Sequence, residues 1–110
     1  VALGIPIYLS GQIGLGEDGK LVNGFEAQVR QTIENIRGVL GKSRMTLHDV
    51  VDVYAVLAVD MSNYDLFNHV YAEEFAANDV QTLPSRTCVS APALPRGALV
   101  ELKVVASLLS

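Results

Sequence analysis

The sequence predicts an α+β sandwich, with two helices laid on one face of a mixed sheet, and three observations carry that reading. Apolar residues recur at helical spacing over residues 25–40 and again over residues 64–75. Between them, residues 50–59 are rich in β-branched side chains and apolar at almost every position. Such a strand is normally buried on both faces. Shorter strand-like runs open and close the chain. The element order reads β-β-α-β-α-β-β.

In chain order, residues 5–10 form a strand of alternating pattern, and the glycines that follow do not have the spacing of a dinucleotide fingerprint. Asp18-Gly19 marks a hairpin turn before Lys20-Leu21-Val22. Asn23 is the expected cap of the first helix, Phe25, Val29, Ile33, Ile36 and Leu40 its apolar stripe, and Gly41 its C-cap. Gln28, Arg30, Gln31, Glu34 and Arg37 fall mostly off the stripe. Residues 46–49 form a short helical turn. Ser62 with Asp65 has the form of a capping box for a second helix, which carries Tyr64, Phe67, Tyr71 and Phe75 and ends at Asn78-Asp79. Strands over residues 85–91 and 99–109 complete the chain. Two helices cover one face of such a sheet, so the apolar character of residues 50–59 on both sides predicts an oligomer.

A chain of 110 residues is one domain, spanning 1–110. Half of it is hydrophobic and 18% is charged, yet no apolar run approaches the roughly 18 residues needed to span a bilayer, so no membrane partner is expected. The net charge of −4 argues against nucleic acid as a partner. One cysteine and no basic leader point to a reducing compartment, the cytoplasm. Two histidines and one cysteine without ligand spacing predict no metal site.

The chemistry concentrates near the C-terminus. Leu83-Pro84-Ser85-Arg86-Thr87-Cys88-Val89 and Leu99-Val100-Glu101-Leu102 place one cation and one carboxylate in apolar runs, joined by a connector with Pro92, Pro95 and Gly97. A simple antiparallel hairpin would set Arg86 opposite Glu101 and Cys88 opposite Leu99; a crossover connection would break that register. Either way, strand alternation puts Arg86 and Cys88 on one face. From spacing alone Arg86 is either half of an ion pair with Glu101 or a clamp for a ligand carboxylate. From its own surroundings Glu101 reads better as a solvated strand residue beside Lys103 than as a catalytic group. Cys88 reads as a buried strand cysteine, since a nucleophilic thiol needs a depressed pKa and a partner such as His48 or His69, both distant in sequence. Tyr8 and Tyr54 suit a core or an interface, and Arg96 a solvated loop.

Leu-Pro-Ser-Arg-Thr-Cys-Val, then Ala93-Leu94-Pro95-Arg96-Gly97, then Val100-Glu101-Leu102 resembles the C-terminal signature of the RidA/YjgF family of enamine/imine deaminases. Ser10-Gly11-Gln12-Ile13 resembles the family's first strand, and Asn68 and Tyr71 its helical Asn-x-x-Tyr. The resemblance implies a homotrimer with a chorismate-mutase-like fold and sites in clefts between subunits. It implies that Arg86 binds the substrate carboxylate, that Glu101 orients and activates water, and that Cys88, Ser10 and Asn68 line the cleft. The implied reaction is hydrolysis of 2-aminoacrylate-type enamines and 2-imino acids to 2-keto acids and ammonia, with no cofactor, because an imine is already electrophilic. The family's upstream segment with its functional tyrosine is expected to be missing before Val1. An incomplete cleft of that kind would suit the other reading, a non-catalytic carboxylate-binding, regulatory or chaperone trimer; the family's ribonuclease label suits this acidic chain poorly.

Overall fold

The computed structural model describes residues 5–108. Its strands are β1 (Pro6–Tyr8), β2 (Val50–Ala58), β3 (Ser85–Ala91) and β4 (Val100–Ser107), and its helices are α1 (Phe25–Gly41) and α2 (Tyr64–Ala77). The four strands form one mixed sheet in the order β1-β4-β2-β3. β2 runs parallel to β3 and antiparallel to β4. Both helices press their apolar faces against one side of the sheet. Val29, Ile33, Ile36 and Leu40 from α1 and Phe67, Val70, Tyr71 and Phe75 from α2 share a core with Val53, Ala55, Leu57, Val100, Leu102, Val104 and Ala106. The expected fold class stands.

One expected strand does not. Leu21 meets Leu15 in a single bridge, so no strand forms over residues 20–22. The turn itself closes as expected: Gly19, at φ 77°, donates to Gly16 and Gly16 to Lys20. The ladder stops because side chains take its carbonyls. Asn35 of α1 donates through Nδ2 to Ile13 and Leu15, and Gln28 through Nε2 to Val22. Gln28 also accepts from the Leu99 amide at 2.8 Å, which explains why it is buried although it lies off the apolar stripe.

The helix ends differ from the expected caps. Asn23 makes no side-chain cap, and α1 starts from Gly24 at φ 94°. Gly41 is still helical. The chain turns out at Arg44, φ 59°, where the Met45 amide reaches back to Leu40. Ser62 and Asp65 form no capping box, because the Ser62 amide donates to Asp60 Oδ1 instead. The box appears one element earlier, where Thr46 and Asp49 cap the 3-10 turn Leu47–Asp49 reciprocally. Between the helices, Arg30 of α1 pairs with Glu26 on its own helix and with Glu73 and Glu74 on α2.

The far side of the sheet carries Tyr8, Tyr54, Val56, Glu101, Lys103 and Val105, and among the described residues no helix or strand lies over it. Tyr8 is 70% exposed and Tyr54 46%, so neither belongs to the core. The outward side of β2 is therefore open within one chain.

Candidate functional site

Strand β3 is the outer edge of the sheet; alternation puts Arg86 and Cys88 on one face, as expected, and that face is the helix side. Arg86 pairs with Val53 and Cys88 with Ala55, both buried beneath the helices. The first two turns of α2 then wrap the guanidinium. Asn68 Oδ1 accepts from Arg86 Nη2 at 2.6 Å, and the Tyr64 hydroxyl stands 3.5 Å from the same nitrogen. Arg86 Cζ lies 5.0 Å from the Phe67 ring centre, 4.9 Å from Tyr71 and 5.9 Å from Tyr64. A cation over aromatic faces is held by their quadrupoles. It has no carboxylate partner among the described residues. Nε and Nη1 donate to nothing there, which leaves the fork free for a planar anion.

The simple hairpin register fails. β3 and β4 are not neighbours, because β2 lies between them. The connector with the 3-10 turn Pro95–Gly97 steps across the end of β2, two strand spacings or about 10 Å, instead of folding back on β3. Arg86 is aligned with Val53, whereas Glu101 is aligned with Val56. Glu101 sits between buried Val100 and Leu102, so it faces the open side. An ion pair between Arg86 and Glu101 within one chain is therefore excluded.

On that open side Glu101 borders a depression with Gly11, Tyr54, Val56 and Lys103. Its carboxylate lies directly over Gly11, where a Cβ would collide with it. It accepts no hydrogen bond and joins no ion pair among the described residues. Ser10 precedes this glycine; its carbonyl accepts from Gln12 and its hydroxyl is exposed. The candidates thus separate. Arg86, Cys88 and Asn68 gather on the helix side of β3, Glu101 faces the open side of β4, and exposed Ser10 adjoins the glycine beneath Glu101.

Two electrostatic features qualify these roles. Burial pushes the Cys88 thiol above its ordinary value, and the Arg86 charge only partly opposes this. This is the opposite of the shift that activates a nucleophilic thiol. Burial likewise pushes the Tyr71 phenol up to about 12 against the pull of Arg86. Its hydroxyl is buried without a hydrogen-bond partner among the described residues. His69 pairs with Glu73 and not with Cys88. Among the described residues no three His, Cys, Asp or Glu side chains come together to hold a metal.

The aromatic cradle was missed as part of the site. Tyr64, Phe67, Asn68 and Tyr71 stand at i, i+3, i+4 and i+7 of one helix. That spacing puts Asn68 on the same face as the three rings, and it could have placed the rings beside any group Asn68 contacts.

The sequence model of the family described as Endoribonuclease L-PSP matches residues 1–108. The chain belongs to this family, also known as RidA/YjgF. Protein HMF1 of Saccharomyces cerevisiae is 41% identical over 102 residues, 92% of this chain and 75% of that protein. Protein MMF1 of the same yeast, described as mitochondrial, is 36% identical over 91% of this chain and 66% of its own length. The structure of RidA from an Antarctic Psychrobacter superposes with a TM-score of 0.85 at 35% identity, covering 98% of this chain and 85% of that one. E. coli TdcF, solved with bound serine, gives 0.89 at 25% identity over 98% of this chain and 84% of that one. These RidA/YjgF relatives share the two-helix, four-stranded architecture. No described helix is long and apolar enough to cross a membrane.

Proposed function

We propose that the protein hydrolyses 2-imino acids and their enamine tautomers, of the 2-aminoacrylate type, to 2-keto acids and ammonia. The observation that carries this reading is Arg86. It is a permanent cation, fixed by Asn68 and three aromatic rings, with no carboxylate partner among the described residues. A cation so placed is suited to a substrate carboxylate. The relative solved with serine holds a ligand that carries such a group.

In this reading Arg86 holds the carboxylate and Asn68 holds Arg86. Cys88 lines the wall beside it as a neutral thiol. Water adds to the imine carbon, and Glu101 takes the water's proton and returns it to the nitrogen; Glu101 then carries the carbinolamine's hydroxyl proton to the same nitrogen, so that the C–N bond breaks and ammonia leaves as the C=O forms. Ser10 orients the water or the nitrogen. The acceleration needed is modest, since such imines hydrolyse unaided, and positioning with one proton relay is enough. No cofactor takes part.

Because Arg86 and Glu101 lie on opposite sides of the sheet, the site joins Arg86 of one subunit to Glu101 of another. The open face with Tyr8 and Tyr54 is the surface through which subunits would meet, and a homotrimer is the assembly we propose. The free Cys88 thiol suits a reducing compartment such as the cytoplasm.

A second reading has its own support. Arg86, Asn68 and Cys88 form a carboxylate-binding corner within one chain, without Glu101, so the protein could bind a small acid without turning it over. A ribonuclease role is less well supported, given the net charge of −4. A coupled assay separates these. A serine dehydratase generates 2-aminoacrylate while semicarbazide traps it, and this protein competes with the trap. Wild type suppresses trapping and Arg86→Ala does not, with the oligomer intact in both. Full competition by Arg86→Ala overturns the mechanism. Binding of small acids without competition leaves the binding module.

A further inference from the structure

Tyr64 opens α2 with its ring beside Arg86 and its side chain partly exposed. The ring alone would serve the contact with the guanidinium, and phenylalanine would supply it equally. The hydroxyl needs a separate account. Its only neighbour among the hydrogen-bonding groups described is Arg86 Nη2, at 3.5 Å, too long for a strong direct bond.

That spacing fits a third atom. Nη2 carries two hydrogens, and Asn68 Oδ1 takes one of them. A carboxylate oxygen accepting the other at about 2.8 Å, and a hydroxyl proton at about 2.7 Å, closes a triangle on the Tyr64–Arg86 side. The second oxygen then rests on the free part of the guanidinium fork. We infer that the Tyr64 hydroxyl is a second donor to the substrate carboxylate, shared with Arg86 Nη2, and so helps select carboxylate substrates. This rests on the reading of Arg86 as the carboxylate clamp. The carboxylate is bound alike before and during hydrolysis, so the hydroxyl contributes to binding and not to the chemical step.

Tyr64→Phe keeps the ring and removes the donor. Three readouts test it: the Kd for pyruvate, a 2-keto acid product, from NMR titration; KM and kcat for imines generated by an amino-acid oxidase; and the melting temperature. A hydrogen bond to a charged group at a partly exposed position is worth about three- to tenfold in affinity. The expected result is a Kd and a KM raised by that factor, with kcat within about twofold and melting unchanged. An unchanged Kd in Tyr64→Phe, while Arg86→Ala abolishes pyruvate binding, overturns the inference and leaves the clamp standing. A fall in kcat together with a lower melting temperature also overturns it, since that marks a structural residue. Wild type that neither binds pyruvate nor competes with semicarbazide removes the clamp and the inference together.

Discussion

Arg86 and Glu101 lie on opposite faces of one sheet, on strands separated by β2, with Val53 beside the first and Val56 beside the second. No rotamer change brings them together, because the sheet itself is in the way. Chemistry that needs both draws them from two copies of the chain.

Arg86→Ala and Glu101→Gln should therefore each be inactive alone and should complement one another. When the two are unfolded together and refolded at equal ratio, a site keeps both groups if the Arg donor is the Glu101 variant and the Glu donor the Arg86 variant. Random mixing in a cyclic oligomer gives about one quarter of wild-type activity. Steady-state rates of the mixed sample test this, and no recovery would contradict a shared site.

Tyr71→Phe should stabilise the protein. The hydroxyl is buried with no partner among the described residues, and replacing it by hydrogen removes a desolvation cost of about 1 kcal/mol or more. The pH dependence follows from the same burial. The folded phenol titrates at about 12, above the usual 10. The unfolded chain thus loses its proton first, and stability falls as pH rises from 10 towards 12. Below that window both states hold the proton and the effect vanishes. Urea unfolding across the window should show wild type losing roughly 2 kcal/mol more than Tyr71→Phe.

Val59→Asn should also stabilise. Val59 holds φ 73° at the end of β2 and is 69% exposed, so a β-branched side chain sits in the left-handed region with little packing in return. Its amide bonds to Ala91 and survives the change. Relief of about 1 kcal/mol is expected, readable as a rise of a few degrees in melting temperature.

Cys88 should alkylate slowly. Burial pushes its thiol above the ordinary value, so the rate of iodoacetamide modification should be low at neutral pH and should still be climbing with pH where that of a free cysteine has levelled off. Cys88→Ala should retain most of the activity, whereas a nucleophile would lose nearly all of it. Measured rates against pH, and kcat/KM of the variant, decide between the two.

Much of this was legible in the sequence. The apolar stripe of α1, the β-branched run of β2 and the strand Ser85–Ala91 are local patterns. The shared face of Arg86 and Cys88 follows from alternation alone. The relation of Arg86 to Glu101 was not legible, because it depends on whether residues 92–99 fold back or step across β2. Turn residues are compatible with both. The strand over residues 20–22 was lost to Asn35 and Gln28, two α1 amides whose partners lie on the preceding arm. The caps at Asn23, Gly41 and Ser62 failed by one to three residues, because several neighbouring polar groups or glycines could have served. The aromatic cradle around Arg86 was hidden by its double duty: Phe67 and Tyr71 are core residues by any pattern, and only their register with Asn68 marks a second role.

Gly11 lies beneath the carboxylate of Glu101. In the proposed reaction the absence of a side chain there is thus a working part of the site. A chain with alanine at this position would keep every polar group in place by name and yet have its acid pushed aside. Judged by its charged residues it would look intact. The fitness of this pocket is written partly in a residue that contributes only room.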